Sequence, residues 1–116
     1  MGVEGNERRL AMKIGTHTPW GYADHVSELA PGITFVATPS HGGIKLESWR
    51  EEEMPASLRK RDFRYCPRGW YEEDCEITLV ILAFPDIFRE RGYHVDYAEE
   101  MLRQVYPKQY AEWVAE

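Results

Sequence analysis

The stretch Ile33-Thr34-Phe35-Val36-Ala37-Thr38 does most to limit what this chain can fold into. It is β-branched and aromatic, the residue types that suit a pleated, half-buried surface. Turn signals stand on both sides: Pro31-Gly32 before it and Pro39-Ser40-His41-Gly42-Gly43 after it. With Ile44-Lys45-Leu46 following, it predicts an antiparallel hairpin over about residues 33–46.

The remaining periodic segments read as helices. Gly21 to Ala30 spaces Val26, Leu29 and Ala30 as a short helix would. Ser48-Trp49-Arg50-Glu51 has the capping-box pattern and opens a helix that Pro55 stops. Residues 71–84 carry β-branched side chains, which leaves a strand open. The acidic first turn Glu72-Glu73-Asp74 and the stop at Pro85 favour a helix. On that helix Ile77, Val80, Ile81 and Phe84 form an apolar stripe, widened by Leu79 and Leu82, so it is expected to be central and nearly buried. Asp96 with Glu99 caps another helix over about 96–106, with Ala98, Met101, Leu102 and Val105 on one face. Arg59 to Arg68 reads as irregular or extended. The expected class is α+β: a small antiparallel sheet packed against helices.

A chain of 116 residues fits one globular domain, here 15–116, behind a polar lead-in, 1–14, expected to be flexible. The apolar run Leu79–Phe84 is far too short to span a bilayer, and Met1 to Lys13 has no apolar core of a secretory signal. With two cysteines read as reduced thiols, this predicts a cytoplasmic protein with no membrane partner. The net charge of −6 argues against direct, non-specific binding to nucleic acid, which needs a basic field. Arg59, Lys60, Arg61, Arg64 and Arg68 nevertheless crowd one stretch between acidic flanks at 51–53 and 72–76. Surface pairing with those flanks is the plainer expectation; a patch for a phosphate or a partner, built on Arg64 and Arg68, is the other.

Three motifs combine glycine or proline with residues able to do chemistry: Thr18-Pro19-Trp20-Gly21, Thr38-Pro39-Ser40-His41-Gly42-Gly43 and Gly69-Trp70-Tyr71-Glu72-Glu73-Asp74-Cys75. The loops at 18–21, 39–43 and 69–74 are expected to meet on one side of the domain. His41 can act as acid or base near neutral pH. Gly42 and Gly43, beside Ser40, can take positive φ and turn N–H groups toward an anion, although a hairpin loop uses glycines for the turn alone. On a helix, Glu73 aligns with Ile77 and Ile81 at the core edge and calls for His41 or one of Arg59, Arg61, Arg64 and Arg68 as partner. Glu72 and Asp74 singly fit capping and solvated charge. Trp20, Trp70 and Tyr71 fit either core packing or the wall of a pocket. The catalytic candidates are therefore His41, Glu73 and Asp74; the binding candidates are Trp20, Ser40, Gly42, Gly43, Trp70, Tyr71, Arg64 and Arg68. Cys66 and Cys75, with His17, His25, His41 and His94, lack the paired spacing of a zinc site, so no metal and no cofactor is expected. Cys75 reads as a small buried residue whose thiol pKa falls if a helix starts there.

Taken in order, these motifs, with Gly32-Ile33 and Ala83-Phe84-Pro85, resemble a small domain of unknown activity carried by bacteria, phages and plasmids. That domain occurs alone or attached to anti-restriction-type polyvalent proteins, and the similarity spans about residues 16–106. The resemblance implies a mobile-element setting and a role in countering host defence, and brings no catalytic residue with it. The first functional reading is an accessory binding module that engages a host protein or nucleoprotein, with homo-oligomers open to it. The alternative is a small enzyme: His41 as acid/base, Glu73 or Asp74 orienting it, and Gly42 and Gly43 donating N–H groups to an oxyanion or phosphate. A structural protein without a ligand is the third.

Overall fold

The computed structural model describes residues 12–116, so most of the expected lead-in, 1–14, lies outside the described residues. The described chain begins with a minimal antiparallel pair, β1 (His17–Thr18) and β2 (Gly21–Tyr22). The turn between them is closed by Thr18, whose Oγ1 donates to Gly21 O (2.7 Å) and accepts from Trp20 N (3.1 Å). A four-stranded antiparallel sheet follows, in the order β3 (His25–Ala30), β4 (Ile33–Ala37), β5 (Gly42–Leu46), β6 (Trp70–Glu72). The hairpin forms as expected, with register from Ile33↔Leu46 to Ala37↔Gly42.

Five helices complete the α+β fold: α1 (Ser48–Glu53), α2 (Ile77–Ala83), α3 (Pro85–Glu90), α4 (Val95–Val105) and α5 (Pro107–Ala115). A 3₁₀ turn at Ala56–Leu58 lies between α1 and the irregular segment 59–69. The core joins the inner face of the sheet to the helices: Ile33, Ile44, Leu46 and Tyr71 meet Leu58, Leu79, Val80, Phe88 and Leu102, all almost wholly buried. Every residue from Ile77 to Leu82 is buried, so α2 is the central helix that its apolar stripe predicts. Among the described residues no helix is long and apolar enough to cross a membrane.

Several local expectations are overturned. Gly21–Ala30 is not a helix but β2 and β3, because β3 pairs antiparallel with β4, with one register irregularity between Glu28 and Ala30, across the Pro31-Gly32 turn, where Gly32 takes φ +78°. A short apolar spacing is too weak a signal to outlast that pairing. Residues 71–84 divide: 70–72 become β6 on the free edge of β5, a turn follows, and the helix starts only at Ile77. The capping boxes are not made. Glu47 and His94 hold the N-cap positions of α1 and α4, and neither caps with its side chain.

The basic stretch mostly pairs elsewhere than with its acidic flanks. Arg61 bonds Glu112 (2.6 Å), Arg64 bonds Asp62 (2.7 Å), and Arg59 donates to the carbonyls of Met54 and Glu52. Arg64 holds the exposed Asp62 carboxyl down at about 2. Lys60 alone among these cations forms an ion pair with a flank carboxylate, that of Glu76.

Candidate functional site

The site is built where the three motifs meet. Thr38 fixes the hairpin loop: its Oγ1 donates to His41 O (2.8 Å) and accepts from His41 N (3.1 Å), which seats His41 just before β5. The Trp20 indole packs edge-on against His41 (ring centroids 5.8 Å) and against Trp70 (5.7 Å). On the other side, β6 ends at Glu72 and the chain turns through Glu73–Glu76 into α2. Glu72 makes that turn. Its carboxylate accepts the N–H groups of Asp74, Cys75 and Glu76, each at 2.7 Å, the backbone donors of the turn that leads into α2. Glu76 answers by accepting the Glu72 N–H at 3.1 Å, and Glu73 N donates to Gly42 O at 3.0 Å, tying the turn to β5.

His41 thus stands among three carboxylates. Its Nε2 lies 3.6 Å from Glu72 Oε2 and 3.8 Å from Asp74 Oδ2, and its Nδ1 lies 3.9 Å from Glu73 Oε2. These are ion-pair separations, too long for hydrogen bonds. His41 and Glu72 open on a hollow of about 450 Å³ whose walls include Trp20, Tyr65, Cys75 and Tyr106. A larger hollow of about 810 Å³ lies on the other side of the same turn, lined by Phe35, Ile77, Ile81 and Tyr93 together with Glu73 and Asp74.

The sequence candidates divide. His41, Glu73, Asp74, Trp20, Trp70, Gly42 and Gly43 come together. Ser40 is exposed at the loop tip and lines neither hollow. Tyr71 is not a pocket wall: it is fully buried, donates its hydroxyl to Glu51 (2.7 Å), and burial raises its phenol far above the ordinary value. Arg64 points to Asp62, and Arg68 lies over the Phe63 ring (5.0 Å) beside a separate small hollow with Ser48 and Arg59.

Three expectations at the site itself need correction. Gly42 and Gly43 do not form an anion-binding turn. Neither has positive φ; both are buried in β5, between β4 and β6. They are glycines because neighbours fill the space: a Cβ on Gly43 would meet Tyr71 O at 2.3 Å and one on Gly42 would meet Val36 O at 2.8 Å. Glu73 is exposed rather than at the core edge, because it precedes the helix on which the alignment depends. The Cys75 thiol is raised, not lowered, by burial and then by Glu72, Asp74 and Glu76, and Cys66 is raised chiefly by burial, the direction opposite to the one that favours a thiolate.

Sequence reasoning missed the buried pair beneath the turn. Lys60 and Glu76 are both buried, 3.5 Å apart, and Lys60 Nζ also donates to the carbonyls of Cys66 (3.1 Å), Pro67 (3.2 Å) and Trp70. Nothing in the run Arg59 to Arg68 marks Lys60 as the one cation to be buried.

No curated protein and no solved structure matches this chain. One family does, over residues 13–116, nearly the whole of the fold described above. On that match the chain belongs to the family described as Domain of unknown function (DUF7007).

Proposed function

We propose that this protein is a small cytoplasmic accessory module linked to mobile elements, which binds a host protein or nucleoprotein and counters host defence. The observation that carries the binding reading is the surface of segment 61–68. It has no regular secondary structure, yet it presents Phe63 and Tyr65, the latter 76% exposed, under stacked guanidinium groups. Arg68 lies 5.0 Å over the Phe63 ring and Arg64 lies 5.4 Å over the Tyr65 ring. Aromatic and arginine side chains concentrate the energy of protein interfaces, and stacking holds them ready for contact. Lys60 and the Arg61–Glu112 pair anchor the segment, which lowers the entropy cost of binding through it. The net charge of −6 favours a protein surface over bare nucleic acid. The mobile-element setting and the counter-defence role rest on the resemblance carried by the three motifs.

Capture of a partner from host lysate, followed by affinity measurement with that partner purified, tests this reading. The double variant Phe63→Ala/Tyr65→Ala is expected to bind at least about tenfold more weakly, each hot-spot truncation costing more than about 1 kcal/mol. Its folding should be unchanged. Undiminished affinity in a folded double variant would sink the assignment.

A second reading has its own observation: His41 sits among carboxylates at a hollow of about 450 Å³. In a small enzyme His41 would be the acid/base and Glu73 or Asp74 would orient it. His41→Ala separates the two. Loss of biological effect with partner affinity intact favours the enzyme; loss only in step with affinity favours the binder.

A further inference from the structure

We propose that His41, Glu72 and Asp74 form a binding site for a divalent transition-metal ion of the Zn²⁺ or Mn²⁺ class, with Glu73 as the outer carboxylate that orients the imidazole. The inference is independent of the partner-binding surface at 61–68.

The first argument is distance. One ligand atom from each of the three residues lies within 4.8 Å of the others. Nε2 stands 3.6 Å and 3.8 Å from the two carboxylate oxygens, beyond hydrogen-bond range. Four-coordinate Zn²⁺ with bonds of about 2.0–2.2 Å separates its ligand atoms by about 3.4 Å. The two His41 separations are within tenths of an ångström of that value, and the carboxylate oxygens lie no more than 4.8 Å apart, so a small closing movement lets the three donors share one ion.

The second argument is charge. Glu72, Glu73 and Asp74 face a single imidazole, and among the described residues no lysine or arginine makes an ion pair with any of them. The buried lysine below the turn is committed to Glu76 and three carbonyls. Even a protonated His41 leaves negative charge uncompensated, and a divalent ion offsets it.

The third argument is how the donors are held. Glu72 Oε2 accepts one backbone N–H, from Asp74, and keeps a lone pair on the His41 side. His41 turns Nε2 to the two ligand carboxylates and Nδ1 to Glu73 Oε2, 3.9 Å away. A carboxylate behind the second nitrogen is the usual support of a metal-bound histidine, because it fixes ring orientation and raises basicity. Gly42 O, bonded to Glu73 N at 3.0 Å, keeps the two halves of the site in register.

The donor set also selects. An imidazole with two carboxylates suits Zn²⁺ or Mn²⁺ better than Mg²⁺ or Ca²⁺, which favour oxygen alone. Three protein ligands beside an open hollow leave a coordination position for water or a substrate, as catalytic sites do and closed structural sites do not.

Isothermal titration of the full chain, stripped with EDTA, with ZnCl₂ tests the site, and the visible spectrum with Co²⁺ reads the coordination. One equivalent is expected to bind, with a nitrogen-and-oxygen Co²⁺ spectrum. Glu73→Gln should weaken binding about 10–100-fold, the usual effect of losing an outer carboxylate, and Asp74→Asn at least as much. His41→Ala should abolish it. Glu72 is left intact because it caps the turn. Far-UV circular dichroism and metal-free unfolding of each variant establish that it is folded. The proposal is overturned by absence of saturable binding, by one-equivalent binding that survives His41→Ala, or by tighter binding of Ca²⁺ than of Zn²⁺.

Discussion

The indole of Trp20 occupies the space that a side chain on Gly43 would need. A Cβ there would stand 2.4 Å from Trp20 Cη2, and also 2.3 Å from Tyr71 O and 3.0 Å from Glu72 Cα. The glycine therefore lets β5 approach β6 while Trp20 closes over both, beside His41. Two of the three obstacles are backbone, so relaxation cannot come from a rotamer change alone. Gly43→Ala is expected to cost at least the about 1–3 kcal/mol of ordinary overpacking, read by urea denaturation. It should also change the Trp fluorescence of the folded state. A variant with wild-type stability and emission would show that the strands part without cost.

Lys60 and Glu76 offer a second test. Lys60→Met leaves three carbonyls and a buried carboxylate without their cation. Breaking a buried pair from one side costs about 3–5 kcal/mol. Lys60→Met/Glu76→Gln removes the stranded charge and should recover part of that loss. The comparison is made by equilibrium unfolding of both variants. A Lys60→Met protein as stable as wild type would mean the pair is dispensable.

Tyr71 sets an alkaline limit. Burial, then the hydrogen bond it donates to Glu51, raises its phenol well above the ordinary value near 10. The folded chain keeps a proton that the unfolded chain gives up. The contribution is therefore complete below about pH 10 and is lost as pH rises further. Unfolding free energy measured from about pH 8 to about pH 11 should fall more steeply for wild type than for Tyr71→Phe. Tyr71→Phe should itself lose about 1.5–3 kcal/mol at neutral pH, because the bond goes to a carboxylate. Equal slopes in the two proteins would refute the assignment.

What the sequence determines by itself is local. The hairpin at 33–46 is legible because β-branched residues alternate between turn signals, and those preferences act within a few residues. The buried helix over Ile77–Leu82 is legible for the same reason, since six successive apolar or small side chains have only an interior to go to. The meeting of the three motifs is legible as an expectation, because glycine and proline beside Trp20, His41 and Glu72 exceed what a turn requires.

Tertiary structure alone decides the rest. Residues 70–72 could have continued the helix; the free edge of β5 takes them as a strand, and Glu72 then starts the helix later by collecting three N–H groups. That shift exposes Glu73, buries Glu76 and swings three carboxylates around His41. Lys60 is chosen for burial over its arginine neighbours because the carbonyls of Cys66, Pro67 and Trp70 converge there with Glu76. Local preference cannot rank these outcomes, since each depends on a partner that only the folded chain brings within reach.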